Sequence, residues 1–476
     1  YILLLDGTNA RINSSAAWND TAPTDSVFTV GDNSNFNGSG DTYVAYLFAH
    51  NNNDGDFGPN QDQDIIKCGD FTTDGSENAT VTLGFEPQWV LWKPTATVSN
   101  WHMFDAMRGM PFGRADALLE PDGTGAETQG VAYISPTATG FNVTNMGANK
   151  HSIFIAIRRG PLAAPTDATK FFSVSSGLNA STDGNTFNTN FPVDMHIYNS
   201  RESGSHNYVL DRMRGEGQMF RTDNQDAEVH QNYNDQFDHM DGMHTSTAFN
   251  YSTWIGWSWR RAPSYFDVVA YVGNNSVRNI NHNLGVVPEM IWLKCREGPQ
   301  GTGAAYWCVY HKDLDASAPE DKSIYLDGSG GAFDFSNYWN DTAPTSTVFT
   351  TGFSNGNDNN ANGNNYMAYL FATAAGVSKV GSYTGDGTDG KQIECGFSSG
   401  ARFVLIKRSD GTGNWMVFDS VRGIVSGNDP FLKLNATSAE TTTDDKLDPY
   451  SGGFIINHSG ASINNSGDKY IFYAIA

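Results

Sequence analysis

The chain has 476 residues, roughly three times the ~150-residue prior for one domain, so several domains are expected. With 29 Lys and Arg against 52 Asp and Glu, the formal net charge is −23, which argues against nucleic-acid backbones and anionic membrane surfaces as partners, because phosphate neutralisation needs clustered cations. Mean hydropathy is −0.43, no apolar run approaches the ~18 residues of a membrane span, and 29 Phe, 20 Tyr and 11 Trp exclude a disordered chain.

Fifty Gly and 45 Asn favour tight turns, and no long Ala/Leu/Glu/Lys stretch is present. The composition predicts an all-β protein. Residues 1–50 begin with the apolar stretch Tyr1 to Leu5, followed by Asp6-Gly7. They continue through Trp18-Asn19-Asp20-Thr21-Ala22-Pro23-Thr24 to a short strand at Val27 to Thr29. An Asn/Gly-rich loop then leads to an apolar strand at Ala45 to Ala49. The next segment, 51–64, is dense in oxygen ligands. Asp54, Asp56, Asp62 and Asp64 are the candidate calcium ligands, although the spacing is not that of an EF-hand and a solvated linker is the competing reading.

Residues 65–160 carry Asn100-Trp101-His102-Met103-Phe104-Asp105, then Arg108-Gly109, then Ala126-Glu127-Thr128. Residues 169–262 carry a divergent copy, Asn207-Tyr208-Val209-Leu210-Asp211 with Arg214-Gly215. They also hold five of the eleven histidines; Asp238, His239, Asp241 and His244 form a weaker metal candidate without fixed ligand spacing. In 265–374 the heptapeptide recurs letter for letter at 339–345, followed by Val348 to Thr350 and by Ala368 to Ala372. Tyr1 to Leu5 aligns with Lys322 to Leu326, so residues 1–50 match only the second half of 265–374.

Residues 377–476 give the complete template of six strand-like blocks: Lys379 to Tyr383, Lys391 to Cys395, Phe403 to Lys407, Trp415 to Phe418, Phe431 to Leu434 and Tyr470 to Ile475. Phe454 to Ile456 reads as a minor strand. Asn414-Trp415 through Asp419, Arg422-Gly423 and Ala439-Glu440-Thr441 repeat the signature of 65–160. Ordered recurrence of this kind marks duplication. Six short strands per ~100 residues, punctuated by turns, predict antiparallel β-sandwich, jelly-roll-like modules in tandem. The chain therefore reads as a half-module at 1–50 and whole modules at 65–160, 169–262, 265–374 and 377–476. An open half-sheet leaves backbone groups unpaired, so 1–50 are expected to be completed by further N-terminal sequence or by another subunit.

The Asp-x-x-Arg-Gly motif, at Asp105/Arg108, Asp211/Arg214 and Asp419/Arg422, is the main chemical signature. Asp and Arg three residues apart form a charge-assisted pair that fixes a tight turn, whereas carboxylate catalysis needs a second acid at a defined separation. Glu202-Ser203-Gly204-Ser205-His206 reads as a turn and not as a nucleophile elbow, and no phosphate-binding loop occurs. Cys68, Cys295, Cys308 and Cys395 form no CxxC pair and read as free buried thiols, with Cys295 and Cys308 across one hairpin. Trp92, Trp101, Trp254, Trp257, Trp259, Trp292, Trp307, Trp339 and Trp415 offer flat faces for sugar rings or, as the competing reading, pack in cores.

Three stretches carry a family resemblance: Trp339 to Thr350, Gly381-Ser-Tyr-Thr-Gly-Asp-Gly387 and Gly84-Phe-Glu-Pro-Gln-Trp-Val-Leu91. With the C-terminal Tyr470 to Ala476, they make the chain resemble a domain of unknown function found, often in tandem, in tail-fibre-like and other virion structural proteins of marine tailed bacteriophages. The likeness is closest over 1–160 and 265–476. It implies a virion location and brings no catalytic residues. The expected function is that of a non-enzymatic virion structural protein, a tail-fibre or other surface appendage or capsid decoration that contacts the host surface. Its expected partners are other virion proteins, further copies of itself and a host surface glycan, with neither nucleic acid nor membrane insertion; calcium is the one cofactor considered. The competing reading is a glycan-binding or glycan-depolymerising protein acting on host surface polysaccharide.

Overall fold

The computed structural model describes residues 1–50, 57–58, 61, 63–176, 180–181, 184–202, 204–231, 236–245, 253–299, 304–353 and 356–476. The chain divides into two compact units, Tyr1–Gly160 and Pro161–Ala476. Both are built of antiparallel β-sheet, and among the described residues no helix exceeds four residues. None is long and apolar enough to cross a membrane.

One arrangement of strands recurs. In 377–476 the larger sheet runs Ser378–Thr384, Lys469–Ile475, Phe403–Arg408, Met416–Asp419, Phe431–Lys433, and a smaller sheet runs Lys391–Glu394, Gly453–Ile456, Leu447–Tyr450. The first and last strands are neighbours in the larger sheet, as the second and the penultimate are in the smaller one. The same order places Ile66–Thr72, His151–Arg158, Pro87–Pro94 and His102–Asp105 in one sheet of Tyr1–Gly160. It recurs in Phe172–Ser176, Trp254–Trp259, Met195–Ser200, Tyr208–Asp211 and in Phe266–Val272, Asn365–Phe371, Met290–Cys295, Cys308–His311. Continuous apolar runs such as Tyr470 to Ile475 occupy the middle of the sheets: Lys469–Ile475 pairs on one side with Ser378–Thr384 and on the other with Phe403–Arg408. The segment read as a minor strand, Phe454 to Ile456, is instead the centre of the smaller sheet. Its apolar side chains supply one face of the core, with Phe454 and Ile456 fully buried.

Cross-strand pairs show how one core shape is met by different residues. At one register position of the first and last strands, Gly69 faces Phe154, Ser175 faces Gly256, Val269 faces Ala368 and Gly381 faces Phe472. In each pair at least one partner is small. A Cβ on Gly381 would come within 2.7 Å of the Phe472 ring, and one on Gly69 within 2.9 Å of Phe154. Close packing makes the two positions interdependent.

Residues 1–50 depart from expectation. Neither Val27 to Thr29 nor Ala45 to Ala49 forms a strand; the described structure there is the isolated bridge Ile2–Ile12 and two single-turn helices, Ser15–Trp18 and Ser34–Asn37. The physical reason is pairing. In 265–374, Val348–Thr351 is held by Arg278–Asn281, and Asn365–Phe371 lies between Phe266–Val272 and Met290–Cys295. Residues 1–50 contain no counterparts of those three partner strands.

All four cysteines are free thiols. Cys308 pairs across its hairpin with Leu293, two positions from Cys295, and burial pushes the Cys295 thiol up to about 12.

Phe472→Ala alone is expected to cost ~3–5 kcal/mol, and Gly381→Val alone ~1–3 kcal/mol through overpacking. The double variant reproduces the Val269/Ala368 pairing and should lose clearly less than the sum in denaturant unfolding. Additive losses would show that the two positions do not share a packing site.

Candidate functional site: Asp–Arg turns at the module junctions

The three Asp-x-x-Arg-Gly turns share one pattern of side-chain hydrogen bonds. Each Asp ends a strand at one register position: Asp105 opposite Trp89, Asp211 opposite Met195 and Asp419 opposite Phe403. One carboxylate oxygen accepts the Arg backbone N–H at 2.9, 2.8 and 2.9 Å. The other accepts the Arg Nε–H at 2.6, 2.5 and 2.6 Å. The guanidinium reaches back to a strand carbonyl, that of Met103, Val209 or Val417. Its last arm donates to a glutamate: Glu127 at 2.9 Å, Glu228 at 3.4 Å and Glu440 at 3.2 Å. Gly109 and Gly423 follow with φ of 131° and 129°, whereas Gly215 has a φ of 82°, all in a region that favours glycine. The glutamates lie in the recurrent Ala-Glu-Thr of two modules, a repeat that the sequence displays without revealing its bond to Arg.

Within Pro161–Ala476 these turns are covered by neighbouring modules. The Trp257 indole N–H donates to Asp419 at 3.1 Å, so the 169–262 module caps the turn of 377–476. The Tyr369 hydroxyl donates to Asp211 at 2.5 Å, so 265–374 caps the turn of 169–262. The third contact has a substitution: His311 stands opposite Met290, where the other modules have Asp, and faces the Phe472 backbone carbonyl of 377–476. The three contacts close a cycle. Burial drives the His311 imidazole down to about 3, so it sits neutral. Burial alone would lower the pKa of Arg214, but Asp211, Tyr369 and Glu228 outweigh it and hold the guanidinium above its ordinary value.

Charge also crosses the junctions. Glu440, already bound to Arg422, accepts Arg201 of 169–262 at 2.8 Å, and Glu228, bound to Arg214, accepts Arg296 of 265–374 at 3.2 Å. A backbone hydrogen bond accompanies each: Glu440 N–H to Arg201 O at 3.0 Å, Glu228 N–H to Arg296 O at 2.8 Å, and Ala332 N–H to Ser409 O at 2.7 Å at the third junction. Next to it, Trp307 donates its indole N–H to Arg221 O at 2.8 Å and Trp415 to Tyr325 O at 2.9 Å. The divergent module has Asn207 in that position, and its side-chain amide reaches Lys433 O at 3.2 Å. Backbone N–H groups of these residues donate to Asp327, Asn435 and Asp223. Lys407 beside this joint donates to Gly330 O at 2.7 Å, and burial pushes it down to about 7.

Tyr1–Gly160 holds one joint of the same kind. Trp101 donates to Leu4 O at 2.8 Å and Arg11 N–H to Thr95 O at 2.8 Å; Leu4 and Arg11 are the counterparts of Tyr325 and Ala332. The Asp105–Arg108 pair in this unit is 20% and 16% exposed, against zero for both members of the other two pairs.

Of the candidate calcium ligands, Asp54, Asp56 and Asp62 lie outside the described residues. Asp64 is buried, and its backbone carbonyl accepts Arg158 at 3.4 Å. Among the described residues no group of three or more His, Cys, Asp or Glu side chains is placed to hold a metal, and His239 and His244 stack ring on ring. Seven of the nine tryptophans considered as sugar platforms (92, 257, 259, 292, 307, 339 and 415) are buried, so their faces pack in the protein; Trp101 and Trp254 are half-buried.

A family model described as a domain of unknown function, DUF7483, matches residues 1–157 and 167–476. The chain belongs to this family. The second match in this DUF7483 chain takes in three module-length repeats, and the first takes in one and a half. No curated protein matches the chain.

Removing one partner of a fully buried pair leaves the other charge uncompensated, at a cost of ~3–5 kcal/mol, whereas a solvent-screened pair contributes ~0–1 kcal/mol. Asp419→Ala should therefore lower the local opening free energy in native-state hydrogen exchange far more than Asp105→Ala. Equal losses would show that the covering module adds nothing to the pair.

Proposed function

We propose that this protein is a non-enzymatic structural component of a tailed-phage virion, a fibre-like or other surface appendage or decoration built from repeated β modules and presented towards the host. The observation that carries the reading is the recurrent junction. The buried ionic groups that repeat from module to module, Asp211–Arg214–Glu228 and Asp419–Arg422–Glu440, are engaged by neighbouring modules. Their chemistry is spent on joining domains, as suits an element that must hold its geometry under load. The resemblance of the repeated motifs to domains of virion structural proteins supports the location, and the acidic surface suits a protein that binds neither nucleic acid nor anionic membrane. Burial of most tryptophans tells against the competing glycan-active reading.

The test is immunogold electron microscopy of the phage particles whose genome encodes the chain, with antibody raised against the purified protein. Label at a fixed site on the particle surface is the expected result; unlabelled particles would overturn the virion assignment. Incubation of the purified protein with host surface polysaccharide should leave polymer length unchanged, and chain shortening would overturn the non-enzymatic part.

A further inference from the structure

Two bare surfaces on Tyr1–Gly160 match two covered surfaces on Pro161–Ala476. The first is the apolar segment 43–48. Tyr43, Val44, Tyr46, Leu47 and Phe48 are 49%, 80%, 82%, 75% and 63% exposed, whereas their counterparts Tyr366, Met367, Tyr369, Leu370 and Phe371 are all at zero. An open cavity of about 1100 Å³ lies alongside, lined by Trp18, Phe28, Phe36, Tyr43 and Tyr46. Apolar exposure on this scale marks an interaction site.

Three local features around that segment match those of 265–374. Asn19 and Asp20 have φ of 51° and 47°, as Asn340 and Asp341 have 54° and 45°. Thr21 donates to Asn19 O at 2.8 Å, as Thr342 does to Asn340 O at 2.7 Å. Gly38 N–H donates to the Tyr43 oxygen at 2.7 Å, as Ala361 N–H does to that of Tyr366 at 2.8 Å. What differs is the company: in 265–374 the equivalent strand lies between Phe266–Val272 and Met290–Cys295.

The second bare surface is the Asp105–Arg108–Glu127 turn, with Glu127 28% exposed against 5% for Glu440. At Asp419–Arg422–Glu440 the cover is Trp257 and Arg201. Both covers come from one stretch. Residues 167–321 contain Arg201 and Trp257 as well as the strands Phe266–Val272 and Met290–Cys295.

We propose that Tyr1–Gly160 docks a polypeptide segment of this same family with the fold of residues 167–321. The segment adds two antiparallel strands, one on each side of 42–48, and caps the Asp105–Arg108 turn with an aromatic donor and an arginine. Strand addition satisfies the unpaired backbone groups while the alternate side chains fill the cavity. A second copy of this chain does not fit the role: the first strands of its whole modules, Ile66–Thr72, Phe172–Ser176, Phe266–Val272 and Ser378–Thr384, are each already paired within their own sheets.

The experiment fuses a second copy of residues 167–321 directly ahead of Tyr1 in the full chain and reads hydrogen exchange. The expected result is at least hundred-fold slower exchange at 42–48 together with slower exchange at Arg108. The same fusion with Val269→Asp and Leu293→Asp in the added copy should leave 42–48 unprotected. Unchanged exchange at 42–48 beside a protected fused segment would overturn the proposal. So would a fused segment that stays unprotected, since surfaces made for it should template its folding. Concentration-dependent protection of 42–48 in the unfused chain would assign the surface to a second copy instead and overturn it as well.

Discussion

A buried carboxylate must be neutralised and hydrogen-bonded, and in this protein that requirement is met across module boundaries. Asp211 and Asp419 each hold an arginine three residues on, but the bonds that complete their burial come from Tyr369 and Trp257 of other modules. Removing water from such a pair is costly unless every remaining donor and acceptor is engaged. In 169–262 and 377–476 the Asp–Arg turn is thus completed by a neighbour lying against it. Glu228 and Glu440 extend the constraint by bridging the turn arginine and an arginine from next door.

Variation at the joints respects the same rule. The divergent module replaces the joint tryptophan by Asn207, and an amide N–H takes over the bond that an indole N–H makes elsewhere. The 265–374 module replaces Asp by His311, and the charge network is absent there as a set: the imidazole is neutral, and Ala332 stands at the position of Glu228 and Glu440. Losing one ion of such a network would strand the others, so the two changes go together.

The fold was largely legible because its signals are local. Turn residues and letter-for-letter repeats placed the strands of 377–476 and their counterparts, and the apolar runs Phe403 to Ile406 and Tyr470 to Ile475 lie in the middle of the sheet. The Asp–Arg turns were legible as motifs because both partners lie within four residues of each other. Their role was not, because Trp257 and Asp419 are far apart in sequence and nothing local connects them. Phe454 to Ile456 looked minor because a short strand at the centre of a small sheet carries little periodicity. Val27 to Thr29 and Ala45 to Ala49 have strand composition without strand structure, because a strand is stabilised by partners that composition does not describe.

Native-state hydrogen exchange on a Tyr369→Phe variant tests the joint role most directly. The change deletes one hydroxyl from 265–374 and leaves its ring in place. If the Asp–Arg turns are joints, amides at Val209 to Arg214 in the neighbouring module lose protection as much as those flanking the substituted position in its own strand. Loss confined to 365–371, with Asp211 and Arg214 unaffected, would contradict it.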